Sequence, residues 1–206
     1  MAYTLEVVDL KDLPPAQTVL SGAECAFYKT LKLPKRKAEW LGGRLALKRL
    51  LAAHTGGNLT DFTILAPGGV GKPVITAGKK TLQIPFSLTH SNGFAVAALS
   101  PDARFIGIDL EVVAPRITAW KNDFFHPAEL TREDDVFLTL LWTQKEALVK
   151  LLGSGLTINS RDVCVVRGKP QFFGRALEIY NALGSPKITL ETLDLLPGFC
   201  FSIAVA

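Results

Sequence analysis

The sequence has 206 residues, of which 48% are hydrophobic and 20% charged, and its formal net charge is +4. This composition excludes a disordered chain and a strongly basic nucleic-acid tail, and the length suits one large domain or two small ones. The modest positive charge favours anionic partners without choosing among them.

Three widely spaced cysteines, Cys25, Cys164 and Cys200, form no CxxC motif, which argues against disulfide bonds and a zinc site. The N-terminal segment lacks the apolar core of a signal peptide, and no apolar run approaches the ~20 residues of a membrane span. We therefore expect a soluble, cytoplasmic protein that does not contact a membrane.

The first half of the chain alternates between segments typical of strands and one long helical segment. His90-Ser91-Asn92-Gly93 has the composition of a tight turn between two of the strands. The predicted elements are a strand over residues 3–8, a helix over 34–54, and strands over 62–65, 86–88 and 94–99.

The second half repeats this rhythm loosely. Its predicted elements are a strand over residues 105–110, helices over 120–130 and 135–152, and strands near 163–166, 188–193 and 199–205. Because each half contains a strong helix and several strands with short connections, we predict an α+β protein of two similar lobes. We place the lobes at residues 1–102 and 103–206, with the boundary near Ser100–Arg104.

Gly107-Ile108-Asp109-Leu110-Glu111 is the sharpest local feature. Residues two apart in a strand point to the same side, so Asp109 and Glu111 present two carboxylates on one face. A buried strand with two such acids needs a cation to neutralise them, and Mg²⁺ prefers hard oxygen ligands. The alternative is a strand end at which both acids are simply hydrated.

Trp142-Thr143-Gln144-Lys145-Glu146-Ala147-Leu148-Val149-Lys150 is the second feature. On a helix, Glu146 and Lys150 lie one turn apart in the favourable order for an ion pair. This pair is either part of a site or an ordinary surface salt bridge worth ~0.3 kcal/mol.

Phe86-Ser87-Leu88-Thr89-His90-Ser91 places a histidine between hydroxyl side chains, which suits phosphate binding or acid–base chemistry. The alternative is a turn histidine in water.

Residues 66–73 resemble a phosphate-binding P-loop, but Ala66 and Pro73 stand where that motif needs Gly and Ser or Thr. The segment is therefore a turn whose lysine, Lys72, can still meet a phosphate.

Basic residues are frequent between Lys29 and Lys48, where they form either a solvated helix face or contacts to a phosphate-rich ligand. Several blocks follow one another along the chain: Arg44, Gly71-Lys72-Pro73, F-S-L-T-H-S at 86–91, G-I-D-L-E at 107–111, F-F-H-P-A-E at 124–129 and W-T-Q-K-E-A-L-V-K-L-L-G-S-G-L at 142–156. The order of these blocks resembles the 4′-phosphopantetheinyl transferase superfamily, in its longer, Sfp-type branch.

The resemblance implies two pseudo-symmetric lobes, each a small, mostly antiparallel sheet packed with helices, with coenzyme A bound between them. It implies Mg²⁺ on Asp109, Glu111 and Glu146, and catalytic roles for Glu146 and Lys150. It further implies coenzyme A contacts by Arg44, Lys72, Thr89, His90, Lys145 and Lys150, and looser ones by Lys29, Lys32 and Arg36. The sequence departs from the family pattern at Ser87 and Thr89, where the family often has Asn and Ser.

The activity that the resemblance implies is transfer of phosphopantetheine from coenzyme A to a serine of an acyl or peptidyl carrier protein, with release of 3′,5′-ADP. Such carriers are acidic, which agrees with the positive charge of this chain, and two lobes in one chain make a monomer sufficient. The alternatives are an inactive module that binds coenzyme A or a carrier protein, and a basic nucleic-acid-binding protein, in which Asp109 and Glu111 would be out of place.

Overall fold

The computed structural model describes residues 2–67, 71–115, 118–153 and 155–206. The described chain divides into two compact units. We call Ala2–Asp102 the N-terminal unit and Ala103–Ala206 the C-terminal unit.

In its described residues, the N-terminal unit consists of two antiparallel three-stranded sheets and two α-helices. Its elements are β1 (Thr4–Asp9), α1 (Gly22–Thr30), α2 (Pro34–Thr55), β2 (Phe62–Leu65), β3 (Val74–Ala77), β4 (Lys80–Leu82), β5 (Phe86–Ser91) and β6 (Phe94–Leu99). The larger sheet has the strand order β1-β6-β5, and the smaller has the order β2-β3-β4. Helix α2 packs against all three strands of the larger sheet.

Helix α2 begins with Pro34 in its first turn and ends at Gly56, which has a positive φ of 79°. Both are typical helix ends, because proline needs no backbone N–H partner there and glycine adopts the left-handed conformation without strain. A Cβ atom on Gly42 would lie 2.2 Å from Leu10 Cδ2. The absence of a side chain at this position therefore allows the helix to approach its sheet closely.

The C-terminal unit consists of one three-stranded sheet, one hairpin and three helices among its described residues. Its elements are β7 (Ile106–Val112), α3 (Thr118–Phe124), α4 (Asp135–Leu152), β8 (Val163–Val166), β9 (Lys169–Phe172), α5 (Gly174–Ala182), β10 (Thr189–Leu193) and β11 (Phe199–Val205). The sheet is antiparallel with the order β10-β11-β7, and β8 pairs with β9. Helix α4 packs on β7 and β11.

The two units share one chain topology. In each, the first strand pairs with the last strand, the last strand pairs with the one before it, and a long helix covers this sheet. A separate small sheet follows the long helix in both units. The predicted α+β class with small antiparallel sheets is confirmed.

Several predicted elements differ from the structure. His90 and Ser91 belong to β5, paired with Ala95 and Phe94, and the turn is reduced to Asn92 and Gly93. Both turn residues have positive φ, 39° and 90°, as a two-residue hairpin requires. The predicted helix over 120–130 already ends at Phe124, because Pro127 begins a separate 3-10 turn.

Five short elements were not predicted: α1, β3, β4, β9 and α5. Gly68, Gly69 and Val70 of the P-loop-like segment and Ser154 of the segment after α4 lie outside the described residues. No helix in the described part of the chain is long and apolar enough to cross a membrane.

Candidate active site

The β7 acids face the helix α4. Gly107, Asp109 and Glu111 alternate along β7 and therefore share one side of the strand. A Cβ atom on Gly107 would lie only 2.0 Å from the carbonyl oxygen of Ala147 in α4. The glycine of the G-I-D-L-E segment thus permits the close contact that brings α4 to the two acids.

Helix α4 contributes Lys150 and Glu146 to the same region. Lys150 Nζ donates hydrogen bonds to Asp109 Oδ1 at 2.7 Å and to the carbonyl oxygen of Ile108 at 2.9 Å. Glu146 lies one helical turn earlier and is half-buried. A lysine ammonium has three N–H donors, so one more bond remains available to it besides the two that the described residues accept.

Negative charge exceeds positive charge here. Burial raises the pKa of the Glu146 carboxyl above its ordinary value, the charge of Asp109 raises it further, Lys150 opposes these effects, and Glu111 adds to them. Glu146 therefore senses two further acids, and the charges of Lys150 and Lys145 only partly compensate them. Such a set of hard oxygen donors fits a divalent cation such as Mg²⁺.

The three acids do not form a complete metal cage as their side chains stand. Among the described residues, no group of three histidine, cysteine or acidic side chains is placed to hold one metal ion. The Asp109 carboxylate is turned towards Lys150 instead. Mg²⁺ commonly binds through one or two carboxylates together with phosphate oxygens, so a ligand with phosphates can complete this set.

Lys145 does not contact solvent. Its side chain is fully buried, and Nζ lies 2.6 Å from Glu129 Oε2. The sequence interpretation made Lys145 a phosphate contact. In the structure its ammonium pairs with Glu129 instead, and the side chain has no exposed surface that a ligand could contact. We therefore assign Lys145 a structural role.

Trp142, the first residue of the motif on α4, also has a packing role. It lies edge-on to Trp120, Phe124 and Phe125, with ring centroids 5.2 to 6.2 Å apart. These rings join α3 to α4 and belong to the core of the C-terminal unit.

The N-terminal unit contains a cavity of about 430 Å³ beside α2. Its wall combines apolar side chains with two arginines and a histidine, a combination that suits a ligand with a flat base and a phosphate. The lining residues are Phe27, Leu31, Arg36, Glu39, Trp40, Gly43, Arg44, Leu65, Ala66, Gly71, Pro73, Leu88, Thr89 and His90.

Arg44 is held in this cavity by two contacts. Its guanidinium stacks over Trp40 at 4.1 Å from the ring centroid, and Nη2 lies 3.4 Å from the carbonyl oxygen of Ile64. Burial lowers the pKa of Arg44 to about 10, so the group stays cationic at pH 7. Its buried Nε has no hydrogen-bond partner among the described residues. An acceptor group on a ligand would satisfy this donor.

His90 lies between a cation and an acid. Arg36 Nη1 is 3.4 Å from His90 Nε2, and Glu39 Oε1 is 3.7 Å from His90 Nδ1. Thr89 is buried in the same strand and also lines the cavity. The sequence reasoning missed Glu39, although its place three residues after Arg36 on one helix face is a signal that could have identified it.

The remaining predicted contacts are less closely connected to the cavity. Lys29, Lys32 and Lys72 are exposed and do not line it, whereas Gly71 and Pro73 on either side of Lys72 do. The structure thus brings together Arg36, Arg44, Thr89 and His90 in the N-terminal unit. In the C-terminal unit it brings together Asp109, Glu111, Glu146 and Lys150.

Comparisons of the chain with a family model and with known proteins point to the same family. Residues 105–182 match the model of the 4′-phosphopantetheinyl transferase superfamily. A protein of Synechocystis sp. named "Putative 4′-phosphopantetheinyl transferase" is 30% identical over 154 residues, which cover 70% of this chain and 61% of that protein. The 4′-phosphopantetheinyl transferase AcpT of Salmonella typhimurium is 33% identical over 128 residues, covering 57% of this chain and 60% of its own.

The matched region spans about three-fifths of the length of these two relatives. Among solved structures, the holo-[acyl-carrier-protein] synthase of Thermotoga maritima has 26% identity and a TM-score of 0.40 over 59% of this chain and 73% of that chain. The family match extends over β7 and α4, which carry the candidate acids and Lys150. The part of the chain that carries the candidate acids and Lys150 is therefore similar to the 4′-phosphopantetheinyl transferase superfamily.

Proposed function

We propose that the protein transfers the phosphopantetheine group of coenzyme A to a serine hydroxyl of an acyl or peptidyl carrier protein, with release of 3′,5′-ADP. The observation that carries this proposal is the joining of β7 to α4 by Lys150 and Asp109, with Glu146 electrostatically coupled to both. These residues lie within the part of the chain that matches the superfamily.

Asp109, Glu111 and Glu146 are the residues that would hold Mg²⁺. Burial and then the charges of Asp109 and Glu111 raise the pKa of Glu146, and a cation bound there would offset both effects. When bound, Mg²⁺ supplies neutralising charge to the pyrophosphate of coenzyme A.

Glu146 and Lys150 carry the proton and charge movements of the proposed reaction. The raised pKa of Glu146 makes its carboxylate a better proton acceptor than an ordinary glutamate, so it can take the proton of the attacking serine hydroxyl. Lys150 Nζ, fixed by Asp109 and the Ile108 carbonyl, can direct its third N–H at the leaving phosphate. The serine oxygen forms a bond to the β-phosphorus as the bond from that phosphorus to the leaving 3′,5′-ADP breaks.

The cavity of the N-terminal unit would bind the nucleotide part of coenzyme A. Arg36, Arg44 and His90 supply donors for phosphate oxygens, and the buried, unsatisfied Nε of Arg44 supports this role most directly. The apolar wall suits the adenine base. Lys29, Lys32 and Lys72 would make outer contacts with coenzyme A. Lys145 would make none, because it is fully buried.

The N-terminal unit thus provides the coenzyme A phosphate contacts, and the C-terminal unit provides the acids and the catalytic helix. The net charge of +4 supports an acidic carrier as the partner. We further propose an Sfp-type enzyme that acts as a monomer in the cytoplasm. Neither a binding module without activity nor a nucleic-acid-binding protein is favoured by any observation.

The test is to incubate the protein with an apo carrier, coenzyme A and Mg²⁺ and to weigh the carrier by intact mass spectrometry. We expect a gain of about 340 Da, the mass of the transferred group. Asp109→Asn should abolish this gain, whereas Asp102→Asn, a change of an exposed acid in the other unit, should retain it. No gain on either carrier class with coenzyme A still bound would indicate a binding module, and no coenzyme A binding would overturn the proposal.

A further inference from the structure

Among the described residues, each unit contains a fully buried ion pair between a lysine of its long helix and a glutamate that precedes that helix. In the N-terminal unit, Lys48 of α2 pairs with Glu24. In the C-terminal unit, Lys145 of α4 pairs with Glu129. All four side chains have no exposed surface.

The two glutamates make the same set of backbone contacts. Glu24 accepts hydrogen bonds from the backbone N–H groups of Ser21 at 2.9 Å and Ile64 at 3.0 Å. Glu129 accepts them from His126 at 2.7 Å and Val165 at 2.8 Å. Each glutamate therefore closes the start of a short helix, holds a strand of the small sheet, and fixes the lysine of the long helix.

The residue after the lysine distinguishes the two units. Arg49 follows Lys48 and forms an exposed ion pair with Glu6. Glu146 follows Lys145 and interacts electrostatically with Asp109 and Lys150. The same buried pair thus stands beside an ordinary surface residue in one unit and beside the candidate acids in the other.

A buried ion pair contributes little net stability, because desolvation offsets the attraction, and its best attested use is to fix the register of packed elements. Successive residues of a helix are about 100° apart around its axis, so an anchor at one residue sets the direction of the next. Gly107 brings α4 close to β7 but does not by itself fix the rotation of the helix. A buried anchor at Lys145 would supply such a constraint.

We propose that the buried Glu129–Lys145 pair positions α4 so that Glu146 and Lys150 are aimed at Asp109. Both members are positioning residues, since neither has surface with which to touch a substrate. The consequence for turnover rests on the proposed transferase function, whereas the geometric claim does not.

The test compares two matched double variants, Glu129→Gln/Lys145→Met and Glu24→Gln/Lys48→Met. Each replaces both members of a pair by neutral side chains of similar size, so neither leaves a lone buried charge. The reporter is the rate at which Lys150 is acetylated by an amine-reactive ester, measured by peptide mass spectrometry with exposed Lys169 as internal reference. This readout needs no ligand and no activity.

We expect acetylation of Lys150 to rise at least about threefold, relative to Lys169, in Glu129→Gln/Lys145→Met, because its bonds to Asp109 and Ile108 open more often. In Glu24→Gln/Lys48→Met the ratio should stay within about twofold of the unchanged protein. Equal ratios in the two double variants would overturn the proposal. If either double variant does not fold, Lys145→Arg and Lys48→Arg, which keep the charge and change its reach, provide the same comparison.

Carrier loading supplies the second readout. Glu129→Gln/Lys145→Met should lower kcat about tenfold with the KM for coenzyme A nearly unchanged, because the reacting groups and not the nucleotide cavity are displaced. A variant that mainly raises KM would contradict the positioning role. If the unchanged protein loads no carrier, the proposed function falls while the Lys150 comparison still decides the positioning claim.

Discussion

Lys150 Nζ lies 2.7 Å from Asp109 Oδ1, although the two residues are 41 positions apart in the chain. This bond joins the helix α4 to the strand β7 and places the positive charge of Lys150 beside three acids. The balance of charge in this group leads to the first prediction.

Lys150→Met should strengthen the binding of a divalent cation while it lowers turnover. Loss of the ammonium removes the charge that competes with the cation for Asp109, so the affinity for Mn²⁺, measured by electron paramagnetic resonance, should rise several-fold. Loss of the donor to the leaving phosphate should lower kcat by about 100-fold. The control is Lys169→Met, an exposed lysine of the same unit. Weaker Mn²⁺ binding in Lys150→Met would contradict the charge argument.

Gly107→Ala should destabilise the C-terminal unit. The new methyl group would lie 2.0 Å from the carbonyl oxygen of Ala147, and relief of such overpacking typically costs about 1–3 kcal/mol of unfolding free energy. Urea denaturation followed by circular dichroism measures this cost.

A matched control for that change is Gly43→Ala in the interior of α2. There the nearest atom to a new methyl group is Leu88 Cδ1 at 4.0 Å, so the substitution should stabilise the protein by roughly 0.5–1 kcal/mol through helix propensity. Equal effects of the two substitutions would mean that the close approach of α4 to β7 has no energetic weight.

Arg44→Lys should weaken the binding of coenzyme A although the charge is retained. A lysine cannot reproduce the planar stacking on Trp40 or the fork of donors around the cavity. We expect the Kd for coenzyme A, measured by calorimetry, to rise about tenfold, which corresponds to ~1.4 kcal/mol. Arg49→Lys on the same helix changes only an exposed ion pair with Glu6 and should leave the Kd unchanged. An equal loss in both variants would remove Arg44 from the proposed site.

Cys164 should react slowly with alkylating reagents until the pH is very high. Burial, followed by the negative charge of Glu129, raises the pKa of its thiol from 9.0 to about 11. Iodoacetamide labelling followed by peptide mass spectrometry should therefore show modification of Cys164 only as the pH approaches 11. Rapid labelling at pH 8 would show that the thiol is not held in this environment.

The same shift has a consequence for stability. Because the folded protein keeps the thiol proton to higher pH than the unfolded chain, the contribution of Cys164 is fully present below pH 9 and is lost as the pH rises towards 11. The free energy of unfolding should fall through this window, and it should fall less steeply in Cys164→Ala. Parallel pH profiles of the two proteins would contradict this assignment.

Strong local signals explain which elements the sequence predicted well. Helix α4 has the predicted bounds because Asp134 caps its start, its side chain accepting from the Phe137 N–H, and Gly153 ends it with a positive φ of 70°. Helix α1 was missed because it is short and its only clear signal is the capping box of Ser21 and Glu24. The strands β3, β4 and β9 have three or four residues each, too few for a periodic pattern.

The candidate site was predictable to the extent that its residues lie in local motifs. Asp109, Glu111, Glu146 and Lys150 were identified from the spacing of two segments and from a family resemblance. The burial of Lys145 was not predictable, because its partner Glu129 lies on another element and a helical lysine in a polar motif resembles an exposed one. His90 was assigned to a turn, whereas pairing with Ala95 extends the strand through it.

The sequence by itself determined the α+β class, the long helices, the position of the acids on one side of β7 and the family. These properties depend on periodicity, caps and spacing within short segments, and such signals are local. Only the tertiary structure decided that Lys150 reaches Asp109, that Lys145 is buried against Glu129 and that Arg44 lies on Trp40 with an unsatisfied Nε. These contacts join residues on different elements or depend on burial, and burial is fixed only when the elements have packed.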